Sequence, residues 1–217
     1  MTKLVLLCII TNTKNEKETI KLLKKYKANF KNIIPCRGTA SHSLLEYFGI
    51  TETEKSLIIS LTPYIMSKHI LNELKQRIQE PGKGIAFTIP IASSIKYIED
   101  YYQKIEMEDI KMEDSNQELI ITITNEGYAE NVMNAAKSAG ATGGTTINGR
   151  GLETEKIIKF LGISIEPERE LVLILTSIDK RNDIMNKITE KCGLTTPGSS
   201  ICFSLPVTNI TGLNKIK

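Results

Sequence analysis

The chain has 217 residues, of which 41% are hydrophobic and 24% are charged, and its formal net charge at pH 7 is +3. This composition is ordinary for a globular protein, and the length is enough for one large domain or two small ones. The mild charge, without a dense lysine or arginine tract, disfavours nucleic acid as a partner. The sequence contains no apolar run of about 18 residues, so we expect no membrane insertion.

The four cysteines are isolated in the sequence, and only His42 and His69 could join them as metal ligands. They are Cys8, Cys36, Cys192 and Cys202. Since no two of them form a C-x-x-C pair, we expect no metal site. Buried thiols in a reducing compartment fit this pattern better, which makes the cytoplasm the expected location.

Apolar runs and helical patterns alternate through the first half of the chain. Residues 4–11 form a continuous apolar run, which predicts a buried strand, and apolar residues at 20–26 then recur at helical spacing. The later patterns of this half predict, in order, a strand at 32–36, a short helix at 43–50, a strand at 56–61, a helix at 64–79 and a strand at 85–91.

Residues 99–115 are charged and loosely patterned, and we interpret them as a linker that could be helical in part. After them the same order of elements returns. The patterns predict a strand at 119–124, a helix at 128–138, a strand at 145–148, a short helix at 153–162, a strand at 170–176, a helix at 179–192 and a strand at 200–207.

Individual residues repeat as well. Arg37-Gly38 recurs as Arg150-Gly151, 113 positions later, and Gly82 aligns with Gly198, 116 positions later. An offset that drifts so little indicates a tandem duplication. We therefore predict an α+β protein with two tandem ferredoxin-like (βαββαβ) domains and antiparallel sheets. Residues 1–98 would form the first repeat, 99–115 the linker and 116–217 the second repeat.

The central strands predict an oligomer. Residues 57–61 and 171–175 are apolar on both faces, whereas the helices of a ferredoxin-like domain cover only one face of its sheet. The other face must be buried by the sister domain or by other chains. We expect a homo-oligomer, with a trimer favoured over a dimer.

Three stretches resemble the PII nitrogen-regulatory proteins. They are Ala-Gly-Ala-Thr-Gly-Gly-Thr at 139–145, Gly-Arg-Gly at 149–151, and Pro-Gly-Ser-Ser-Ile-Cys-Phe-Ser-Leu-Pro-Val at 197–207. The resemblance covers nearly the whole chain, once per repeat, and is clearest in the second half. It implies trimers of ferredoxin-like subunits that bind ATP or ADP in clefts between subunits. It also implies an exposed loop after the second strand that contacts target enzymes, transporters or transcription factors.

The chain departs from the family in three places. Residues 152–163 predict a short packed helix where the family has its long signalling loop. The lysine that follows the family's phosphate turn is replaced by Ile85 and Ile201, and the paired arginines after the last strand are absent. The resemblance therefore implies a ligand that is smaller or less charged than ATP, a different nucleotide, or none.

The candidate nucleotide-binding residues are glycines and the polar residues beside them. Arg150 between Gly149 and Gly151 can offer a bidentate fork, and a loop-supporting salt bridge is the alternative role. The equivalent pair in the first repeat is Arg37-Gly38. The remaining candidates are the two turns before the last strands: Gly82, Lys83 and Gly84, which combine a cation with free amides, and Gly198 with Ser199, which offer neutral donors only.

These features predict a regulatory protein and no enzyme, because the sequence shows no activated nucleophile, carboxylate pair or metal spacing. The protein would sense a small ligand at interdomain clefts. It would then regulate an unidentified partner protein in nitrogen or related metabolism. ATP, ADP or AMP would be a regulatory ligand, and no cofactor is expected. The alternative is a structural oligomer that binds a partner or a metal without nucleotide. A small-ligand enzyme on a ferredoxin-like barrel is a third possibility.

Overall fold

The computed structural model describes residues 3–39, 53–78, 83–103, 112–113, 115–151, 158–160, 163–165 and 168–212. The first elements in chain order are β1 (Leu4–Asn12), α1 (Glu16–Lys25), β2 (Phe30–Gly38), β3 (Thr53–Pro63), α2 (Tyr64–Arg77), β4 (Gly84–Pro90) and α3 (Lys96–Gln103). The later elements are β5 (Gln117–Asn125), α4 (Ala129–Ser138), β6 (Thr145–Arg150), β7 (Ile158–Phe160), β8 (Ile163–Ile165), β9 (Glu168–Ser177), α5 (Ile178–Cys192), β10 (Ile201–Val207) and β11 (Asn209–Thr211).

The chain divides into two compact units, which we name unit 1 and unit 2. Unit 1 comprises Met1–Pro35, Glu54–Asn116 and Pro206–Lys217, and unit 2 comprises Cys36–Thr53 and Gln117–Leu205. Compared with the predicted ranges 1–98 and 116–217, each unit takes one segment from the other half of the sequence. The descent of the two halves from one duplicated repeat stays a prediction.

In unit 1 the strand order is β2-β3-β1-β4-β11. The central strand β1 is antiparallel to β3 and to β4, with Leu7 opposite Ser60 on one side and Thr88 on the other. With α1 after β1 and α2 after β3, this is the ferredoxin-like βαββαβ arrangement. The short strand β11 then adds to the outer edge of β4, with Ile210 opposite Phe87.

In unit 2 the strand order is β10-β5-β9-β6, followed by the last residues of β2. Strand β9 is antiparallel to β5 and to β6, and α4 and α5 follow β5 and β9, so the ferredoxin-like arrangement recurs. Arg37 and Gly38 at the end of β2 pair with Thr146 and Thr145. The predicted fold class, α+β with antiparallel ferredoxin-like sheets, is confirmed.

Each unit has its own apolar core between the sheet and its helices. In unit 1, Leu23 of α1 and Ile70 of α2 are fully buried against Leu7 of β1. In unit 2, Val132 of α4 and Ile184 of α5 are fully buried in a core that includes Ile120, Ile174 and Ile188. Burying one such aliphatic side chain contributes about 1.5–3 kcal/mol, so helical spacing of apolar residues determines which helix face meets the sheet.

One predicted segment has a different structure. The helix predicted at 153–162 is wrong where the chain is described, because β7 and β8 pair antiparallel, with Ile158 opposite Ile165. Apolar residues alternate with Lys159 and Ser164 there, and this period of two favours strands. Residues 99–103, at the start of the predicted linker, belong to α3. The helix predicted at 43–50 lies outside the described residues.

Candidate functional site

The Arg150 candidate lies at one end of the unit 2 sheet, where β6 ends and β9 begins. Strand register places Gly149 opposite Arg169 and Arg150 opposite Glu168. On its other side, Arg169 is opposite Asn125, the last residue of β5, and its guanidinium donates a hydrogen bond to the Asn125 side-chain oxygen. Two guanidinium groups therefore occur at this sheet end, which we call the Arg150 end. Because Arg169 is opposite Gly149, it points to the face of the sheet opposite to that of Arg150.

Arg169 was missed by the sequence analysis. It precedes the apolar run of β9 as part of the charged triplet Glu168-Arg169-Glu170 and lacks a flanking glycine. The only sequence signal for it is indirect: antiparallel pairing of residues 145–151 with the following apolar strand brings a residue near 169 beside Gly149.

Three carboxylates also lie at the Arg150 end. The Glu126 carboxyl forms a hydrogen bond with that of Glu168, which raises the pKa of Glu126 above its ordinary value, and the charges of Glu168 and Glu170 raise it further. A Glu170 oxygen accepts a hydrogen bond of 2.8 Å from the backbone N–H of Ala129, the first residue of α4. An anionic ligand bound at Arg150 would also meet these acids, which limits the negative charge that the site can accept.

The Gly198-Ser199 turn is held by hydrogen bonds to other residues of unit 2. The Gly198 carbonyl accepts hydrogen bonds from the Asn125 N–H (2.9 Å) and the Thr124 hydroxyl (3.0 Å). The N–H groups of Ser199 and Ser200 donate to the carbonyls of Thr196 (3.0 Å) and Cys192 (2.8 Å). Both N–H groups belong to the turn that was predicted to offer neutral donors to a phosphate. In this conformation they already donate to carbonyls of the protein.

Arg37 and Gly38 belong to the unit 2 sheet through the pairing of β2 with β6. Arg37 is exposed and lies opposite Thr146, four residues before Arg150 along β6. Opposite residues of an antiparallel pair, and residues an even number apart on one strand, point to the same sheet face. Arg37 and Arg150 thus share a face but are separated along β6 by about 13 Å at 3.3 Å per residue.

The Gly82, Lys83 and Gly84 candidates belong to unit 1, although Gly82 lies outside the described residues. Gly84 is the buried first residue of β4, and a Cβ added to it would lie 2.7 Å from the Ile10 carbonyl oxygen. Close packing against β1 therefore requires this glycine whether or not a ligand binds. Lys83 is half-buried directly before it, and Gly151 is half-buried directly after β6.

The cysteines are poor candidates for chemistry. Burial raises the pKa of Cys8 to about 12, and burial also raises the pKa values of Cys192 and Cys202. The thiols are therefore protonated at neutral pH and weakly reactive. In the described part of the chain, no three His, Cys, Asp or Glu side chains are grouped so as to hold a metal ion. His42 lies outside that part, and His69 is exposed on α2.

Among the described residues, no helix combines the length and the apolar composition needed to cross a bilayer. No family model matches the chain, and no curated protein matches it either.

Solved structures do match. A citrate-bound PII protein from Arabidopsis thaliana is 21% identical, with 44% of this chain and 78% of that chain covered at a TM-score of 0.33. A GlnK–ATP complex from B. subtilis is 21% identical, with 43% and 84% covered at a TM-score of 0.33. An unknown protein from Galdieria sulphuraria is 9% identical, with 95% and 99% covered at a TM-score of 0.29. The chain is thus similar to PII and GlnK structures over less than half of its length.

Proposed function

We propose that the chain is a PII-like regulatory protein that binds a small ligand and transmits the bound state to a partner protein without reacting with the ligand. The observation that carries this proposal is the Arg150 end of unit 2. There Arg150 lies opposite Glu168 at the end of a ferredoxin-like sheet, between Gly149 and Gly151, and Arg169 lies at the same end on the other sheet face. The Arg150 guanidinium is suited to a phosphate or carboxylate, because it can donate two parallel hydrogen bonds.

The ligand is an adenine nucleotide, and its charge is limited by the site. Glu126, Glu168 and Glu170 offset the charge of Arg150, so a triphosphate would be repelled more than a monophosphate. We expect AMP or ADP to bind more tightly than ATP. Nitrogen or related metabolism as the setting rests on the sequence resemblance to PII proteins, and the tandem-repeat origin of the chain rests on the near-constant offset between its two halves.

Signalling would follow from differential affinity. A ligand that binds one conformation more tightly shifts the population toward it, and a partner that distinguishes the two conformations responds. This mechanism requires binding groups but no nucleophile or general base.

Titration calorimetry with AMP, ADP and ATP tests the proposal. We compare the wild type with Arg150→Ala, with Lys83→Ala for the unit 1 candidate, and with the control Arg77→Ala, which removes an exposed arginine paired with Glu73 on α2. Losing one charge-assisted contact costs about 1.5–3 kcal/mol, so Arg150→Ala should weaken binding about 10- to 150-fold. The proposal fails if no nucleotide binds the wild type, or if Arg150→Ala and Arg77→Ala bind alike.

A second candidate function is a structural oligomer that binds a partner without nucleotide. It is favoured by Ile201 and Phe203, which are 48% and 43% exposed on β10. Because they are two residues apart, they lie on the same sheet face. A homotrimer that forms without any nucleotide and binds none would support this alternative over the first.

A further inference from the structure

A second surface with recognition chemistry lies on unit 1. It is formed by the end of α1, the loop that leads into β2, and α3. We call it the lysine–aromatic surface, and its members are Lys24, Lys27, Phe30, Lys31, Tyr97 and Tyr101.

The aromatic part is held firmly while one ring stays exposed. Phe30 makes edge contacts with Tyr97 and Tyr101, with ring centroids 6.3 and 5.3 Å apart. The Asn29 side chain donates a hydrogen bond to the Tyr101 hydroxyl, and buried Tyr102 donates one of 2.7 Å to the Leu61 carbonyl. Tyr97 nevertheless remains 69% exposed. An exposed aromatic ring on a fixed base loses little conformational entropy on binding, which is typical of interface anchors.

The charged part has more lysines than acids. Its acids are Glu99 and exposed Asp100 of α3, and the Ser94 hydroxyl donates a hydrogen bond of 3.0 Å to Glu99. Lys24 and Lys27 are exposed, and neither forms an ion pair within the described parts of the chain. The nearest acid on α2, Glu73, is already engaged by Lys25 at 2.7 Å and Arg77 at 3.0 Å. The surface therefore carries positive charge that favours an acidic partner.

Lys27 occupies a backbone position that favours glycine. Its φ is +56°, and the Ala28 N–H donates to the Leu23 carbonyl at 2.9 Å, which closes α1 with a Schellman motif. A residue with a Cβ is strained in this conformation. The side chain of Lys27 therefore destabilises the local backbone, and its charge gives a reason for its presence.

We propose that the lysine–aromatic surface docks an acidic segment of a partner protein that also carries an aromatic or aliphatic side chain. A protein segment fits better than a nucleic acid because the cations are lysines with no arginine fork, and because exposed Ile95 (66%) lies two residues before Tyr97. An aliphatic side chain packs against apolar side chains but offers a base no stacking face. This inference stands on unit 1 alone and does not require nucleotide binding.

Fluorescence anisotropy with labelled polymers tests the proposal. The probes are a glutamate–tyrosine copolymer, polyglutamate and an oligothymidylate. Wild type should bind the copolymer more tightly than either other probe, and added salt should weaken binding. Tyr97→Ser should remove the preference for the copolymer over polyglutamate.

Lys27→Gly separates recognition from stability. It should weaken copolymer binding about two- to fivefold while raising the thermal unfolding midpoint by about 2–4 °C, because strain is relieved. Lys191→Ser, which removes an exposed lysine of α5, is the control and should leave copolymer binding unchanged. The proposal is overturned if wild type does not bind the copolymer, if Lys27→Gly binds it like the control, or if the oligothymidylate binds more tightly.

Discussion

Two glycines share a backbone conformation but differ in their surroundings. Gly127, after β5, has φ +82°, and Gly212, after β11, has φ +83°. A Cβ added to Gly127 would meet nothing within 4 Å, whereas one added to Gly212 would lie 2.4 Å from the Gly84 carbonyl oxygen. The pair therefore separates the backbone cost of a side chain from its steric cost.

We expect Gly127→Ala to reduce the free energy of unfolding by about 1–2 kcal/mol, the cost of a left-handed conformation. Gly212→Ala should cost more, because β11 must also move away from β4. Urea unfolding of both variants measures the difference. Equal losses would mean that the close approach at Gly84 is relieved without cost.

The pKa of Glu126 makes stability depend on pH. Its folded-state pKa is raised above the ordinary 4.5 by the hydrogen bond to Glu168. Folding therefore favours the protonated form of Glu126. The stability that this gives is fully present below the pKa of the unfolded chain, and it is lost as the pH rises through the raised pKa of the folded protein. Glu126→Gln keeps a side-chain hydrogen-bond donor for Glu168 and removes the charge repulsion between the two carboxylates. Its midpoint of thermal unfolding should exceed that of wild type more at pH 7 than at about pH 4.

The control for that experiment is Glu54→Gln, which changes an exposed carboxylate at the start of β3. It should give the same difference from wild type at both pH values. If the difference in unfolding midpoint between Glu126→Gln and wild type is also the same at both pH values, the proton is not shared between Glu126 and Glu168.

Several site residues could be predicted from the sequence, but their partners could not. Arg150 was found because glycines flank it, whereas Arg169 becomes visible only through the register of β9 with β6. Gly84 was interpreted as part of a phosphate turn, but it is also required by the approach of β1. A glycine pattern reports a need for space, and only the fold shows whether a ligand or another strand fills it.

Strand β11 is attached to β4 by a small polar cluster. The hydroxyls of Thr88 and Thr208, both buried, are 2.8 Å apart. The Thr208 N–H donates to the Thr88 carbonyl at 2.9 Å, and the Asn209 N–H donates to the Thr88 hydroxyl at 3.1 Å. Within the described residues, the buried Nδ2 of Asn209 has no hydrogen-bond partner, which weakens this attachment.

A double-mutant cycle measures the hydroxyl pair. Thr88→Val should cost about 1–3 kcal/mol of unfolding free energy, because it leaves the Asn209 N–H without its acceptor and the Thr208 hydroxyl with only the Thr88 carbonyl at 3.5 Å. The double variant with Thr208→Val should cost less than the sum of the single variants by about 0.5–2 kcal/mol. Thr211→Val, on the same short strand, is the control and should change stability by less than about 0.5 kcal/mol. Additive losses would show that the two hydroxyls act independently.

Elements with strong periodicity were predicted well, and short ones were not. The run at 4–11 became β1 (Leu4–Asn12), and the pattern at 179–192 became α5 (Ile178–Cys192). The β7–β8 pair was predicted as a helix because three-residue strands carry too little alternation to exclude a helical period. α3 was hidden in a charged stretch, because its burial rests mainly on Tyr102.

For the whole molecule, the order of elements was sufficient to predict the fold class but not the composition of the units. The alternation of strands and helices implies βαββαβ, which both sheets follow. The placement of Pro206–Lys217 in unit 1 depends on contacts such as that of Thr208 with Thr88, which are 120 positions apart. No local pattern in a three-residue strand specifies so distant a partner.

We expect the chain to form a homotrimer through the exposed apolar side of β10. Light scattering of wild type should give three times the 24.2 kDa of one chain. Replacing Ile201 and Phe203 by serine should shift the mass toward that of one chain, because the exposed apolar area is removed. Leu194→Ser, which changes a residue 68% exposed outside β10, is the control and should keep the trimer. A wild-type monomer would refute this prediction, and a stable dimer would favour the second choice of assembly.

The position of β11 sets an order for folding during synthesis. A ribosome produces β1 to β4 first, yet the strand that covers the edge of β4 emerges only after all of β5 to β10. Until then, that edge exposes unpaired backbone N–H and C=O groups, which can pair with other chains. A nascent chain stalled after α3 therefore carries an aggregation-prone edge, and the last residues of β11 end that exposure when they reach β4.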